Sequence, residues 1–172
     1  GDVYKRQVFN RFRCRYCKAT YPVWYALFEL VLGLIFLLYY WGLLSLGQVI
    51  LITAGLTLGI YDFRHQEYPL LVWLTFHLIL MACSGWNLVM FFFLALGIMA
   101  HFIDIRMGAG DFLFLASCAL VFSATELLIL IQFASATGIL AFLLQKKKER
   151  LPFVPFLLLA ACLIIFGKLL LV

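Results

Sequence analysis

Apolar runs fill this chain to a degree that a water-soluble fold cannot accommodate. They fall at residues 21–40, 43–61, 69–85, 87–104, 111–131, 133–145 and 153–171. A bilayer core of about 30 Å needs roughly 20 apolar residues per crossing helix, and fewer where protein shields the helix. Trp41-Gly42, Gly85-Trp86-Asn87 and the pair Pro152 and Pro155 mark breaks between runs. The 172 residues are 66% hydrophobic and 12% charged, against about half and about a quarter in an ordinary soluble domain. Eight acids and thirteen bases are too few to clothe such a core in water. The pattern predicts an all-α fold: a polytopic transmembrane helix bundle of about seven spans, the sixth short enough to be tilted or partial. With no internal repeat or low-complexity linker, residues 21–172 read as one membrane-embedded domain, preceded by a cytoplasmic segment over 1–20. The same composition argues against a disulfide framework, a coiled coil, a disordered tail and a nucleic-acid binder.

The bases orient the spans. Lys5, Arg6, Arg11, Arg13, Arg15 and Lys18 precede the first, Arg64 lies between the second and third, and Arg106 between the fourth and fifth. Lys146, Lys147, Lys148 and Arg150 lie between the sixth and seventh. With seven spans all these segments share one face, and only Lys168 falls near the other. The positive-inside rule makes the basic face cytoplasmic. The net charge of +5 is therefore topological and implies no nucleic-acid partner. The chain opens without Met, and no apolar run precedes Cys14, so no secretory signal is expected there. Residues 1–7 read as non-native sequence, and the chain as one that lacks its true N-terminus.

Acids in or beside membrane spans are costly, so each is informative. Glu29, Asp62, Glu67, Asp104, Asp111 and Glu126 are in this position. Asp62 sits in Tyr61-Asp62-Phe63-Arg64, at the cytoplasmic end of the second span. Asp111 follows Gly108-Ala109-Gly110, where the chain re-enters the membrane. Both carboxyls are thus expected at similar depth near one face, where helix packing can join them.

Two carboxyls in one desolvated site do not both ionise easily, so one keeps a proton near neutral pH. The ionised partner can activate a water as general base. The protonated partner can polarise a peptide carbonyl and later protonate the leaving amine. This is aspartyl-protease chemistry, with no metal and no nucleophilic side chain. Gly108 and Gly110 suit it by permitting unusual backbone angles and close approach of an extended substrate. Each motif alone also fits a structural role: an interfacial cap or Arg64 partner for Asp62, a turn and N-cap for Gly-Ala-Gly-Asp. Their shared face favours the chemical reading. Asp104, beside Arg106 and without glycine context, fits an ion pair better.

Tyr61-Asp62 with Gly108-Ala109-Gly110-Asp111 resembles the intramembrane aspartyl proteases of the Gly-x-Gly-Asp type. Within that group the chain is most similar to type IV prepilin peptidases, or leader peptidases. The narrower resemblance rests on Cys14-Arg15-Tyr16-Cys17 followed by Pro22 and Tyr25-Ala26-Leu27-Phe28-Glu29-Leu30. It also rests on Glu67-Tyr68-Pro69-Leu70 after Asp62, Met107 to Asp111, and Leu151-Pro152-Phe153-Val154-Pro155-Phe156. Presenilin-like and signal-peptide-peptidase-like proteins add a Pro-Ala-Leu motif, which this chain lacks. The resemblance implies Asp62 and Asp111 as the catalytic pair, with Gly108, Gly110, Glu29 and Pro69 as supporting motif residues. It implies a bacterial cytoplasmic-membrane enzyme. The implied substrate is a pilin, pseudopilin or competence-protein precursor with a basic leader and an apolar helix, cut after a Gly at the cytoplasmic edge.

Many members of that family carry two Cys-x-x-Cys pairs before the first core helix. Here Cys14 and Cys17 form one pair, which fits half of a structural zinc site or two unliganded thiols, because such a site wants four ligands. Catalysis needs no cofactor on this reading. Cys83, Cys118 and Cys162 are isolated within spans, and no disulfide is expected.

Smaller signals complete the reading. Glu29 lies about 12 Å into the first span at about 1.5 Å per residue, and suits either a helix–helix contact or a place near the active site. Glu126 reads as an interhelical hydrogen-bond partner, and His77 and His101 as interhelical contacts. His65 reads as solvated beside Arg64. Phe91-Phe92-Phe93 and Tyr39-Tyr40-Trp41 read as lipid-facing or interfacial aromatics. A proton-coupled transporter using the same carboxyls is the alternative function; such proteins favour midplane sites and inverted repeats. A structural subunit or an inactive fragment is a third reading.

Overall fold

The computed structural model describes residues 23–65, 68–103, 108–144 and 152–170. Among the described residues there are seven helices and no strand, the all-α class expected from the sequence. The chain forms two compact units, Gly1–Gly42 and Leu43–Val172.

In the first unit, helix α1 spans Val23–Tyr40. It ends where Gly42 takes φ of 72°, a left-handed conformation that closes helices and suits glycine.

The second unit holds α2 (Leu46–His65), α3 (Leu70–Ser84), α4 (Leu88–Phe102), α5 (Ala109–Cys118), α6 (Ala124–Leu144) and α7 (Val154–Leu170). Local chemistry sets their starts. Ser45 and Gln48 bond reciprocally ahead of α2, backbone N–H to side-chain oxygen, at 2.8 and 3.3 Å. Asn87 caps α4 by accepting the Met90 N–H at 2.7 Å. Pro69 stands at the N-cap of α3, where its missing N–H costs nothing.

One predicted boundary is corrected. The expected helix over 111–131 and short helix over 133–145 are replaced by a short α5 and an unbroken α6 of 21 residues. The break falls at Ser123, whose N–H donates to Glu126 Oε2 at 2.8 Å while its Oγ accepts the Glu126 N–H at 3.4 Å. That reciprocal cap starts a new helix. The turn before it is made of apolar residues, Ala119–Phe122, so hydropathy runs through it without a gap.

Helix α5 is the core of the second unit. It packs along α4 and also touches α2, α3 and α7, while α2 packs on α3 and α7, and α7 on α6. Phe114, Leu115, Ala116, Ser117 and Cys118 are all buried. Gly55 of α2 lets three helices close together: a Cβ there would lie 2.5 Å from Leu158 Cδ1 and 3.0 Å from Phe114 Cζ.

Two polar links tie the helices. Trp73 Nε1 donates to Leu113 O at 2.9 Å and Ser117 Oγ at 3.0 Å, and His77 Nδ1 lies 2.9 Å from the same Oγ. His77 also stacks on Trp73, with ring centroids 4.7 Å apart, so it is the interhelical contact expected of it. At the other end Lys168 of α7 pairs with Glu126 of α6, which makes Glu126 an interhelical partner as expected. His101 is exposed and meets Phe102, its own neighbour on α4.

The outside of the second unit is apolar. Leu71, Leu88 and Phe102 are 78%, 85% and 81% exposed, among many other large apolar side chains. Water tolerates few contiguous patches of this kind. Leu46–Arg64 and Ala124–Leu144 are long and apolar enough to cross a membrane, and the remaining helices are apolar but shorter. These features point to a membrane protein.

Candidate active site

Three segments of the second unit meet at the candidate site. The first is the last turn of α2, which carries Asp62. Asp62 is half-buried, and its Oδ2 accepts the backbone N–H of Val154 at 3.2 Å. Val154 is the first residue of α7, so its N–H is one of the donors that a helix start leaves without an internal partner. The Pro152-Phe153-Val154-Pro155 segment thus delivers a helix N-terminus to a carboxylate, an arrangement that the helix dipole also favours.

The second segment is the start of α5. Gly108 is its N-cap, with extended φ and ψ of −65° and 135°, and Asp111 lies in the first turn. The Asp111 N–H bonds to Gly108 O at 3.0 Å. Its carboxyl turns back over Gly108: a Cβ built there would lie 3.3 Å from Oδ2. Asp111 is only 8% exposed, a buried acid among apolar helices. The Asp62 carboxyl is near enough for its charge to act on Asp111. Asp62 thus ends a helix that touches the one Asp111 begins.

The third segment is Tyr68, between α2 and α3. Its side chain lies close against Gly110, where an added Cβ would stand 2.5 Å from Tyr68 Cγ and 3.0 Å from its Cβ. Only glycine at 110 permits that approach. The Tyr68 hydroxyl is buried without a hydrogen-bond partner. Burial pushes its ionisation far above the usual phenol range, and the nearby Cys118, Asp111 and Asp62 add to the effect. The group is therefore a neutral O–H donor.

Tyr68 and the Val154 N–H are the site features that sequence reasoning missed. A signal for Tyr68 existed, since it precedes Pro69 in the segment already matched on motif grounds. The Val154 donor is backbone, and no side-chain pattern marks it.

The other predicted residues are distributed as follows. Gly108 and Gly110 are at the site, and Pro69 adjoins it as the neighbour of Tyr68. Glu29 is exposed on α1, in the first unit. Arg64 is exposed at the end of α2. Cys14, Cys17, Glu67, Asp104, Arg106, Met107 and the lysines 146–148 lie outside the described residues, as does the His65 side chain. Among the described residues no three His, Cys, Asp or Glu side chains gather as a metal-binding group.

Residues 7–43 match the family model of the bacterial Peptidase A24 N-terminal domain. This match supports a relationship to the prepilin peptidase family. It covers Cys14, Cys17 and Glu29 and ends before Asp62 and Asp111. No curated protein and no solved structure matches the chain.

Proposed function

We propose that this chain is an intramembrane aspartic endopeptidase that removes the basic leader of type IV prepilin or pseudopilin precursors at the cytoplasmic face of a bacterial inner membrane. The observation that carries this reading is Asp111, a buried acid at the start of a helix that touches the one Asp62 ends. The match over residues 7–43 supports the same family from a different part of the chain.

In the proposed reaction the pair holds one proton between two carboxyls, and the roles belong to the pair rather than to either residue. The ionised carboxyl takes a proton from a bound water as its oxygen attacks the peptide carbonyl carbon. The other carboxyl gives its proton to the carbonyl oxygen, leaving a tetrahedral gem-diol. Proton transfer to the amide nitrogen then breaks the C–N bond, releasing an amine and a carboxylic acid. Both carboxyl roles are filled without a metal. A zinc ion on Cys14 and Cys17 would be structural and would need two further ligands. The bilayer holds the apolar helix of the substrate, and its extended segment lies along the Gly108 backbone beside the Asp111 carboxyl. No nucleic acid is involved.

The location of the pair at helix ends, rather than mid-helix, favours this reading over a proton-coupled carrier, whose sites lie near the midplane. Asp62→Asn and Asp111→Asn test it directly. Each is expected to abolish cleavage of a prepilin-like substrate in membranes while the protein still inserts. Cleavage retained by either variant overturns the assignment.

A further inference from the structure

We propose that Tyr68 is a positioning residue of the aspartyl pair, its phenol O–H donating to the Asp111 carboxyl group in the substrate-bound site. The inference rests on the peptidase reading above and adds a residue to it.

Three observations converge. The Tyr68 ring is fixed on Gly110, the residue immediately before Asp111, by an approach that any side chain at 110 would block. Its hydroxyl is buried and unpartnered. A buried donor without an acceptor is a standing cost that phenylalanine would avoid at no loss of packing. An acceptor gained on substrate binding would offset that cost.

The ionisable groups near enough to act on it electrostatically limit the choice of partner. They are Cys118 and Asp111 on α5 and Asp62 on α2. A thiol is a weak acceptor, whereas a carboxylate accepts strongly from a neutral O–H. Asp62 already accepts from the Val154 N–H and Asp111 from the Gly108 N–H, and Asp111 adjoins Gly110, on which the phenol ring is seated. Rotation of the Asp111 side chain away from Gly108 offers an oxygen to the phenol and leaves the other for the water.

The test is Y68F, which keeps the ring and removes the donor. Expected results are a fall in kcat of roughly tenfold or more, an unchanged KM, and thermal stability equal to or above that of the parent. The acid limb of the rate–pH profile should move to higher pH, because the carboxylate loses a donor. Replacing Tyr68 by 3-fluorotyrosine, a stronger donor of nearly the same shape, should move that limb to lower pH. Y68F with parental kcat and profile overturns the proposal, and so does a loss of activity explained by a loss of stability. If the two Asp→Asn variants are inactive and Y68F is fully active, only this inference fails. If an Asp→Asn variant still cleaves, the peptidase reading fails first.

Discussion

The Val154 amide and the Asp62 carboxylate meet at 3.2 Å, so the first residue of α7 fixes a side chain from the end of α2. An acid at a membrane-facing helix end has several rotamers open to it, and this bond selects one. Val154→Pro deletes the N–H at a helix position that tolerates proline. Cleavage by V154P is expected to fall about tenfold or more, the loss of one hydrogen bond to a charged group. Val154→Ala, which keeps the N–H and loses packing, should retain more activity. Equal activity of the two would remove Asp62 positioning from the role of α7.

Gly110→Ala should be poorly tolerated. The new methyl would enter the Tyr68 ring, which must move from its seat. Overpacking of this kind costs about 1–3 kcal/mol, read as a lower unfolding midpoint in detergent. Gly33→Ala is the matching control: nothing lies within 4 Å of its Cβ position, so it should be neutral or slightly stabilising.

Ser117→Ala removes the shared partner of Trp73 and His77. Trp73 keeps its bond to Leu113 O, but His77 loses its Nδ1 partner and is left buried. A destabilisation of about 1–3 kcal/mol is expected, the usual cost of an orphaned buried group. The measurement is again unfolding in detergent, and S117A with parental stability would contradict the assigned link between α3 and α5.

Breaking the Lys168–Glu126 pair should do little. Both groups keep contact with solvent in the structure, with side-chain exposures of 55% and 21%. Exposed pairs contribute about 0–1 kcal/mol and are screened by salt. Lys168→Ala is expected to lower stability within that range and to leave cleavage unchanged, since the pair lies at the end of the bundle away from Asp62 and Asp111. A large loss of cleavage in K168A would show coupling along α7.

The apolar runs made the helical class legible, because a membrane leaves the backbone few other ways to satisfy its hydrogen bonds. Asp62 and Asp111 were legible for a related reason: among so many Leu and Phe residues, a carboxyl is a conspicuous expense. The break after α5 was not, since Leu120, Val121 and Phe122 are as apolar as the helices beside them. Its signal was local and chemical, the Ser-Ala-Thr-Glu cap, and a hydropathy reading averages over it. Tyr68 was hidden by its type. An aromatic near a membrane face reads as an interfacial residue, and only the packing on Gly110 tells it apart.

The lengths of α4 and α5 bear on how a peptide reaches the site. Gly97 of α4 faces Leu113 and the Ala109 carbonyl, yet α4 continues for more than a turn to Phe102. At about 1.5 Å per residue α4 rises about 7 Å past Gly97, forming a rim beside the start of α5. An intact helix is about 10 Å across with its backbone groups already bonded internally, so it would stop at that rim. A strand-like segment can descend past it. On the peptidase reading, a peptide cut at Asp111 is expected to unwind locally first, and helix propensity beside the cleavage point becomes a determinant of rate: glycine there should speed turnover and alanine should slow it.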